Sequence, residues 1–137
     1  MKNKLMLYFA YGSNLNHKQM HIRCKDSRYI KSAFLEDYKL SFCHPNELNK
    51  FGYANVIKEK GSEVAGAIWE ITDEHEKILD EYEGFPKTYH KDYFYLDGKK
   101  VMFYIMDKYF FKRPPKSYID TINEGYKNCN IDLSISD

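Results

Sequence analysis

The chain is expected to fold as one α+β domain, and three observations carry that expectation. At 137 residues, 43% hydrophobic and 30% charged, with no repeat, linker or low-complexity run, it fits a single globular domain spanning 1–137, of which about 130–137 reads as a tail. Several short segments alternate apolar and polar residues between Gly, Asn, Asp and Pro turns, the mark of strands. Two other segments, ending near Gly84 and beginning near Pro114-Pro115, instead place apolar residues at helical spacing.

In chain order, residues 5 to 10 form a first strand, and Asn14 or Asn16 caps a short helix over 16 to 22. From Arg28 to His44 the alternation breaks at Glu36-Asp37, predicting two strands or one bent strand that Pro45 ends. Tyr53 to Ile57 and Val64 to Ile71, separated by Lys60-Gly61-Ser62, read as a hairpin in which Gly66 marks a bend or a close approach. Thr72 or Asp73 then caps a helix, with Glu76 three residues after Asp73 and a stripe of His75, Ile78, Leu79 and Tyr82. Tyr93 to Leu96 and Val101 to Met106 form a hairpin around Asp97-Gly98. Lys108 to Lys116 is expected to be an irregular loop with a basic rim, able to attract an acidic substrate, and Lys116 to Asn128 a helix.

Composition narrows the function. Twenty-one Lys and Arg nearly balance 20 Asp and Glu, so no net field argues for nucleic acid or an anionic membrane as partner. No apolar run reaches the length of a membrane span, and Met1-Lys2-Asn3-Lys4 leads into a strand instead of a signal peptide, so a cytoplasmic location is expected. Cys24, Cys43 and Cys129 lack metal or disulfide spacing and read as reduced thiols; Cys43 and His44, neighbours on a strand, point to opposite faces. His17 and His21 have an i, i+4 metal spacing but no adjacent Glu and no third ligand, and read as surface residues. Thirteen Tyr and nine Phe are compatible with an aromatic-walled cavity.

Two stretches stand out. The apolar run Leu7 to Ala10 breaks off into Tyr11-Gly12-Ser13-Asn14-Leu15, a strand end followed by residues that favour tight turns, presenting backbone N–H groups suited to an anion or a polarised carbonyl. Glu83 lies four residues after Leu79 at a helix C-terminus, directed towards the buried stripe while Asp80 and Glu81 look outward. The negative end of the helix dipole and partial burial both raise a carboxyl pKa, as a general acid/base near neutral pH requires.

Tyr8-Phe9-Ala10-Tyr11-Gly12-Ser13-Asn14-Leu15, Glu63 to Ile71 around Gly66 and Trp69, Leu79 to Gly84 followed by Tyr89, and Pro114-Pro115 before Tyr118 together resemble the gamma-glutamylcyclotransferase-like family, in order from about residue 5 to 130. The resemblance implies a small mixed β-barrel with flanking helices, the loop and Glu83 meeting at its mouth. It implies intramolecular release of 5-oxoproline from a γ-glutamyl amino acid, dipeptide or amine, with no metal or cofactor and a small-molecule substrate as the partner of a monomer or homodimer. Residue by residue it assigns Tyr8, Phe9, Ala10, Tyr11, Gly12, Ser13, Asn14 and Leu15 to the substrate loop. Glu83 becomes the acid/base, and Tyr89, Tyr104 and Tyr118 become substrate-site aromatics. Two departures bear on the leaving group: the spacing before Tyr118 is one residue short, and His90-Lys91 stand where the family often has Arg. The alternative is a non-catalytic small-molecule-binding module of the same fold. Glu83 weighs against it, because a carboxylate repels an acidic ligand.

Overall fold

A computed structural model describes residues 4–136. The first three residues of the expected lead-in and Asp137, the last of the expected tail, lie outside it. Six strands and three helices follow the order β1 (Leu5–Ala10), α1 (His17–Arg23), β2 (Arg28–His44), β3 (Tyr53–Thr72), α2 (Asp73–Glu83), β4 (His90–Leu96), β5 (Lys99–Ile105), β6 (Phe110–Phe111) and α3 (Lys116–Asn128). The strands form one mixed sheet, ordered β4-β5-β1-β3-β2-β6, with β1 antiparallel to β3 and parallel to β5. The α+β class therefore holds, and the sheet curls without closing edge to edge.

The long β2–β3 ladder sets the curl. Its register runs from Arg28↔Glu70 to Cys43↔Tyr53 and slips between Glu36 and Tyr38, where four residues of β3 swell out against Asp37 alone. The expected hairpin between Tyr53–Ile57 and Val64–Ile71 does not form: both segments pair with β2 as parts of one strand. Gly61, at φ +89°, donates its N–H to Asp37 Oδ1 at 3.0 Å, so the turn-like residues build a bulge that bends the strand. A side chain stands in for a ladder where the curl brings β3 back to β5. The fully buried Asn55 donates to the Met106 carbonyl (3.0 Å) and accepts the Met106 N–H (2.8 Å), as a neighbouring strand would.

Strand alternation divides the core. Leu7, Phe9 and Tyr11 face an inner cluster with Leu35, Val56 and Phe103, whereas Met6, Tyr8 and Ala10 face an outer one with Trp69, Leu79 and Ile122 beneath the helices. Gly66 makes the close approach expected of it: a Cβ there would sit 2.5 Å from the Phe9 ring.

The helix starts are local chemistry. Asn16, not Asn14, caps α1 by accepting the Gln19 N–H. Thr72 caps α2 and pairs with His75, in place of the expected Asp73 with Glu76. The Thr72 N–H donates to His75 Nδ1 (3.1 Å), leaving Nε2–H for the Lys25 carbonyl (2.6 Å). Of the expected α2 stripe only His75 and Leu79 are buried; Ile78 is exposed, and Tyr82 is 50% exposed because its ring serves another purpose described below. The loop at 108–116 contains β6, which pairs Phe111 with Cys43 and Phe110 with His44. The residues after α3 are anchored: Asn123 exchanges two hydrogen bonds with the backbone of Ile135 (2.9 and 2.7 Å).

Candidate active site

The first side of the site is the turn that ends β1. Ser13–Leu15 form a single 3-10 turn closed by Leu15 N–H to the Gly12 carbonyl (3.0 Å) and Asn16 N–H to the Ser13 carbonyl (3.1 Å). Among the described residues the N–H groups of Tyr11, Gly12, Ser13 and Asn14 find no acceptor, the ordinary deficit of a helical start. The turn is held by its buried side chain: Asn14 Nδ2 donates to the Tyr8 hydroxyl (3.1 Å), while Trp69 Nε1 donates to the Asn14 carbonyl (3.1 Å). Gly12 serves space, and lies outside the left-handed region. Its φ is −116°, but a Cβ would lie 3.0 Å from both Ala54 Cβ and the Tyr118 hydroxyl. From the other side, α3 approaches so closely that a Cβ on Gly125 would stand 2.6 Å from the Asn16 nitrogen.

Glu83 supplies the opposite wall. It is the last residue of α2, and Gly84, in the left-handed region at φ +67°, turns the chain away while its N–H bonds back to the carbonyls of Asp80 and Glu81. Among the described residues no hydrogen bond or ion pair satisfies the Glu83 carboxyl. Burial pushes its pKa up to about 7, and the positive charge of Arg23 partly opposes that rise. Asp80 does not look outward as expected. It accepts the Tyr104 hydroxyl at 2.6 Å and pairs with Lys91 at 2.9 Å, and Lys91 also meets Glu76 at 2.8 Å.

Between these walls lies a cavity of about 410 Å³. Tyr8, Phe9, Tyr11, Gly12, Ser13 and Asn14 line it on the loop side, and Tyr82, Glu83 and Gly84 on the α2 side. Tyr89, Tyr104 and Tyr118 complete the walls with Tyr53, His44 and Met106. Ala10 and Leu15 do not reach it: their side chains belong to the outer core, since alternation turns Ala10 away from Tyr11 and the 3-10 turn folds Leu15 inward. The basic residues of the 108–116 loop stand elsewhere, and neither Lys nor Arg lines the cavity. Lys112 reaches the Glu47 carbonyl, and Lys116 faces Asp120.

The tyrosines divide by what their hydroxyls already do. Tyr11 donates to the Tyr104 carbonyl (2.6 Å), Tyr89 to the Ala54 carbonyl (2.7 Å) and Tyr104 to Asp80, so these three position walls. Tyr8 accepts from Asn14, and Tyr118 accepts the Ala54 N–H (2.9 Å); each keeps its own proton for another partner. Burial holds all five well above the ordinary phenol range, reinforced by the charge of Glu83 at Tyr8 and Tyr11, by the neighbouring Tyr11 phenol at Tyr89 and by the hydrogen bond to Asp80 at Tyr104. All five remain neutral donors at physiological pH.

The thiols lie apart from the site. Burial pushes Cys24 and Cys129 up to about 11 and raises Cys43, which makes all three poor nucleophiles. His17, expected at the surface, packs its ring on Tyr29 and Trp69 and brings Nε2 within 3.4 Å of Cys129 Sγ. Sequence reasoning missed Arg23 altogether, and it missed the pairing of Asp80 with Tyr104 and Lys91 beside the site. Arg23, Asp80 and Lys91 each sit on a helix or strand surface where a charged residue is unremarkable, and only the fold gives each a partner.

A mixed sheet whose mouth holds the unpaired Glu83 carboxyl opposite a turn of free N–H groups encloses a cavity of a size that suits a small molecule. The family model for gamma-glutamyl cyclotransferase, AIG2-like proteins matches residues 8–126, and the chain belongs to that family. Among curated proteins it is similar to the gamma-glutamylcyclotransferase of Bos taurus, at 37% identity over 82 residues, and to that of Homo sapiens, at 35% over 82 residues. These matches cover 57% of the chain but only 44% of each relative, so the aligned segment spans less than half of those proteins. Among solved structures, a gamma-glutamyl cyclotransferase superposes with a TM-score of 0.83 at 26% identity, covering 95% of this chain and 83% of that one. No helix among the described residues is long and apolar enough to cross a membrane.

Proposed function

We propose that the protein is a cyclotransferase that releases 5-oxoproline from a γ-glutamyl amino acid, dipeptide or amine, with Glu83 moving the proton. The observation that carries this reading is the Glu83 carboxyl: unpaired, raised to about 7, and facing the cavity across from the Tyr11–Asn14 turn. A group titrating there is part base and part acid at neutral pH.

The reaction makes few demands on the protein. The nucleophile is the substrate's own α-amino group, which is an ammonium at neutral pH. Glu83 accepts one of its protons, the freed nitrogen attacks the γ-carbonyl, and a five-membered ring closes around a tetrahedral oxyanion. When the oxyanion collapses, the bond to the leaving amine breaks, Glu83 returns its proton to that amine, and the ring nitrogen gives up its second proton to the released amine through the regenerated carboxylate, leaving a neutral lactam N–H and an ammonium. Holding the chain folded back supplies much of the acceleration. The N–H groups of Tyr11 to Asn14, and the spare protons of Tyr8 and Tyr118, are the donors available for the α-carboxylate and the oxyanion.

A pure binder of acidic ligands would gain nothing from an unpaired carboxylate in its cavity, which favours the enzyme over a binding module. The test is incubation of the purified protein with a panel of γ-glutamyl amino acids, dipeptides and amines, scoring 5-oxoproline by mass spectrometry. Release from at least one compound is expected. No release from any of them would leave the binding module as the better reading.

A further inference from the structure

Arg23 ends α1 and does not line the cavity. Its guanidinium is nevertheless immobilised on every side. Nη1 donates to Ser13 Oγ (3.1 Å) and to Asn14 Oδ1. With the Gln19 amide turned to satisfy it, Nε and Nη2 donate to Gln19 Oε1 at 3.2 and 2.7 Å. Its flat face lies 3.5 Å from the centroid of the Tyr82 ring, which is why that ring stands half out of the core.

Every one of these hydrogen bonds ends on a neutral oxygen. Among the described residues no carboxylate lies within 4 Å of Arg23, whereas Lys91, on the far side of α2, is neutralised by Glu76 and Asp80. A cation fixed by neutral groups keeps its field, and the last turn of α2 has no basic residue of its own to oppose the helix dipole.

We propose that Arg23 is a positioning residue for the reaction: it pins the Ser13–Asn14 turn to the last turn of α2, and it sets an uncompensated positive charge beside the place where Glu83 must become negative. This rests on Glu83 being the proton-transferring group. The other titratable groups that line the cavity with Glu83 are the phenols Tyr8 and Tyr11 from β1 and its turn, Tyr89 from the segment before β4, Tyr104 from β5 and Tyr118 from α3, all held neutral by burial, together with His44 at the end of β2 and Tyr53 at the start of β3. Asp80, Glu81 and Tyr82 precede it on its own helix. Of these, Asp80 is matched by Lys91, which leaves Arg23 as the cation that acts on Glu83.

Two variants separate this electrostatic role from a purely structural one. Arg23→Gln removes the charge; Gln19→Glu keeps Arg23 in place but lays a carboxylate against it, on a helix surface that tolerates the change. The readouts are the titration midpoint of the Glu83 carboxyl, followed by carbon NMR in the substrate-free protein, and the acidic limb of kcat/KM against pH. Both variants should move the midpoint and the limb upward together by about half a pH unit or more, so that activity falls several-fold further at pH 6.5 than at pH 8.5. Arg23→Lys, which restores the charge without the fork, should return the midpoint towards the parent value. If Arg23→Gln does not fold, Gln19→Glu decides alone. A carboxyl midpoint that stays put in the folded variants overturns the proposal, and so does a midpoint that moves while the acidic limb does not. The carboxyl titration needs no turnover, so a protein inactive on every γ-glutamyl compound would sink the functional reading without deciding the Arg23–Glu83 coupling.

Discussion

Glu83 shows how one residue can be costly to the fold and valuable to the site. Its carboxyl stays protonated in the folded protein up to about pH 7, while in the unfolded chain it ionises near the ordinary value of 4.5. Between those values the folded form holds a proton that the unfolded form has lost, so this contribution to stability falls as pH rises from 4.5 to 7 and is flat above. Glu83→Gln, which cannot ionise, should therefore be more stable than the parent by roughly 2–3 kcal/mol at pH 8, with the gap closing below pH 4.5; urea denaturation at the two pH values reads the difference. Parent and variant of equal stability at pH 8 would show that the carboxyl is solvated. The same titration governs activity. A base is useful only when ionised, so kcat/KM should fall along an acidic limb with its midpoint near pH 7, about tenfold per pH unit below it.

At the scale of elements, the turn after β1 depends on two glycines for room. Gly12 admits Tyr118 and Ala54, and Gly125 admits the backbone of Leu15 and Asn16. Gly125→Val would push α3 off the turn and should cost both stability and 5-oxoproline release; a variant with unchanged melting temperature and turnover would show that α3 does not support the site. Much at this scale was legible in the sequence. The bounds of the first strand and of α3, and the presence of the β4–β5 hairpin though not the starts of its strands, follow from alternation, helical spacing and the Asp97-Gly98 turn, because these are local preferences. The β3 bulge was not legible, since Lys60-Gly61-Ser62 has the composition of a turn and only pairing with β2 on both sides reveals one bent strand. Nor was β6, whose two residues sit among prolines and basic residues and exist as a strand only because Cys43 and His44 offer an edge. Arg23 ends a short helix where a cation is the usual choice, so nothing local marks it.

For the whole molecule, the curl of the sheet places the start of β3 against the end of β5 and so makes the cavity's floor. Asn55 holds that seam, and Tyr89 and Tyr118 bracket the adjoining Ala54 peptide from two other elements. Asn55→Ala would leave the Met106 N–H and carbonyl buried without partners, at a cost of about 2–4 kcal/mol; a urea midpoint equal to that of the parent would show that the seam does not need the amide. The expected barrel with the loop and Glu83 at its mouth corresponds to this curled, unclosed sheet. Its resemblance-based site residues gather around one cavity except for Ala10 and Leu15, whose side chains are core. Distance along the chain hid the rest: the Tyr104–Asp80–Lys91 network joins β5, α2 and β4.

The most direct measurement compares 5-oxoproline release by the parent and by Glu83→Gln, on whichever γ-glutamyl compound the parent turns over fastest, with circular dichroism confirming that both are folded. The account predicts a fall of roughly 10²–10⁴-fold in kcat for the folded variant. Near-parental turnover by folded Glu83→Gln would contradict it.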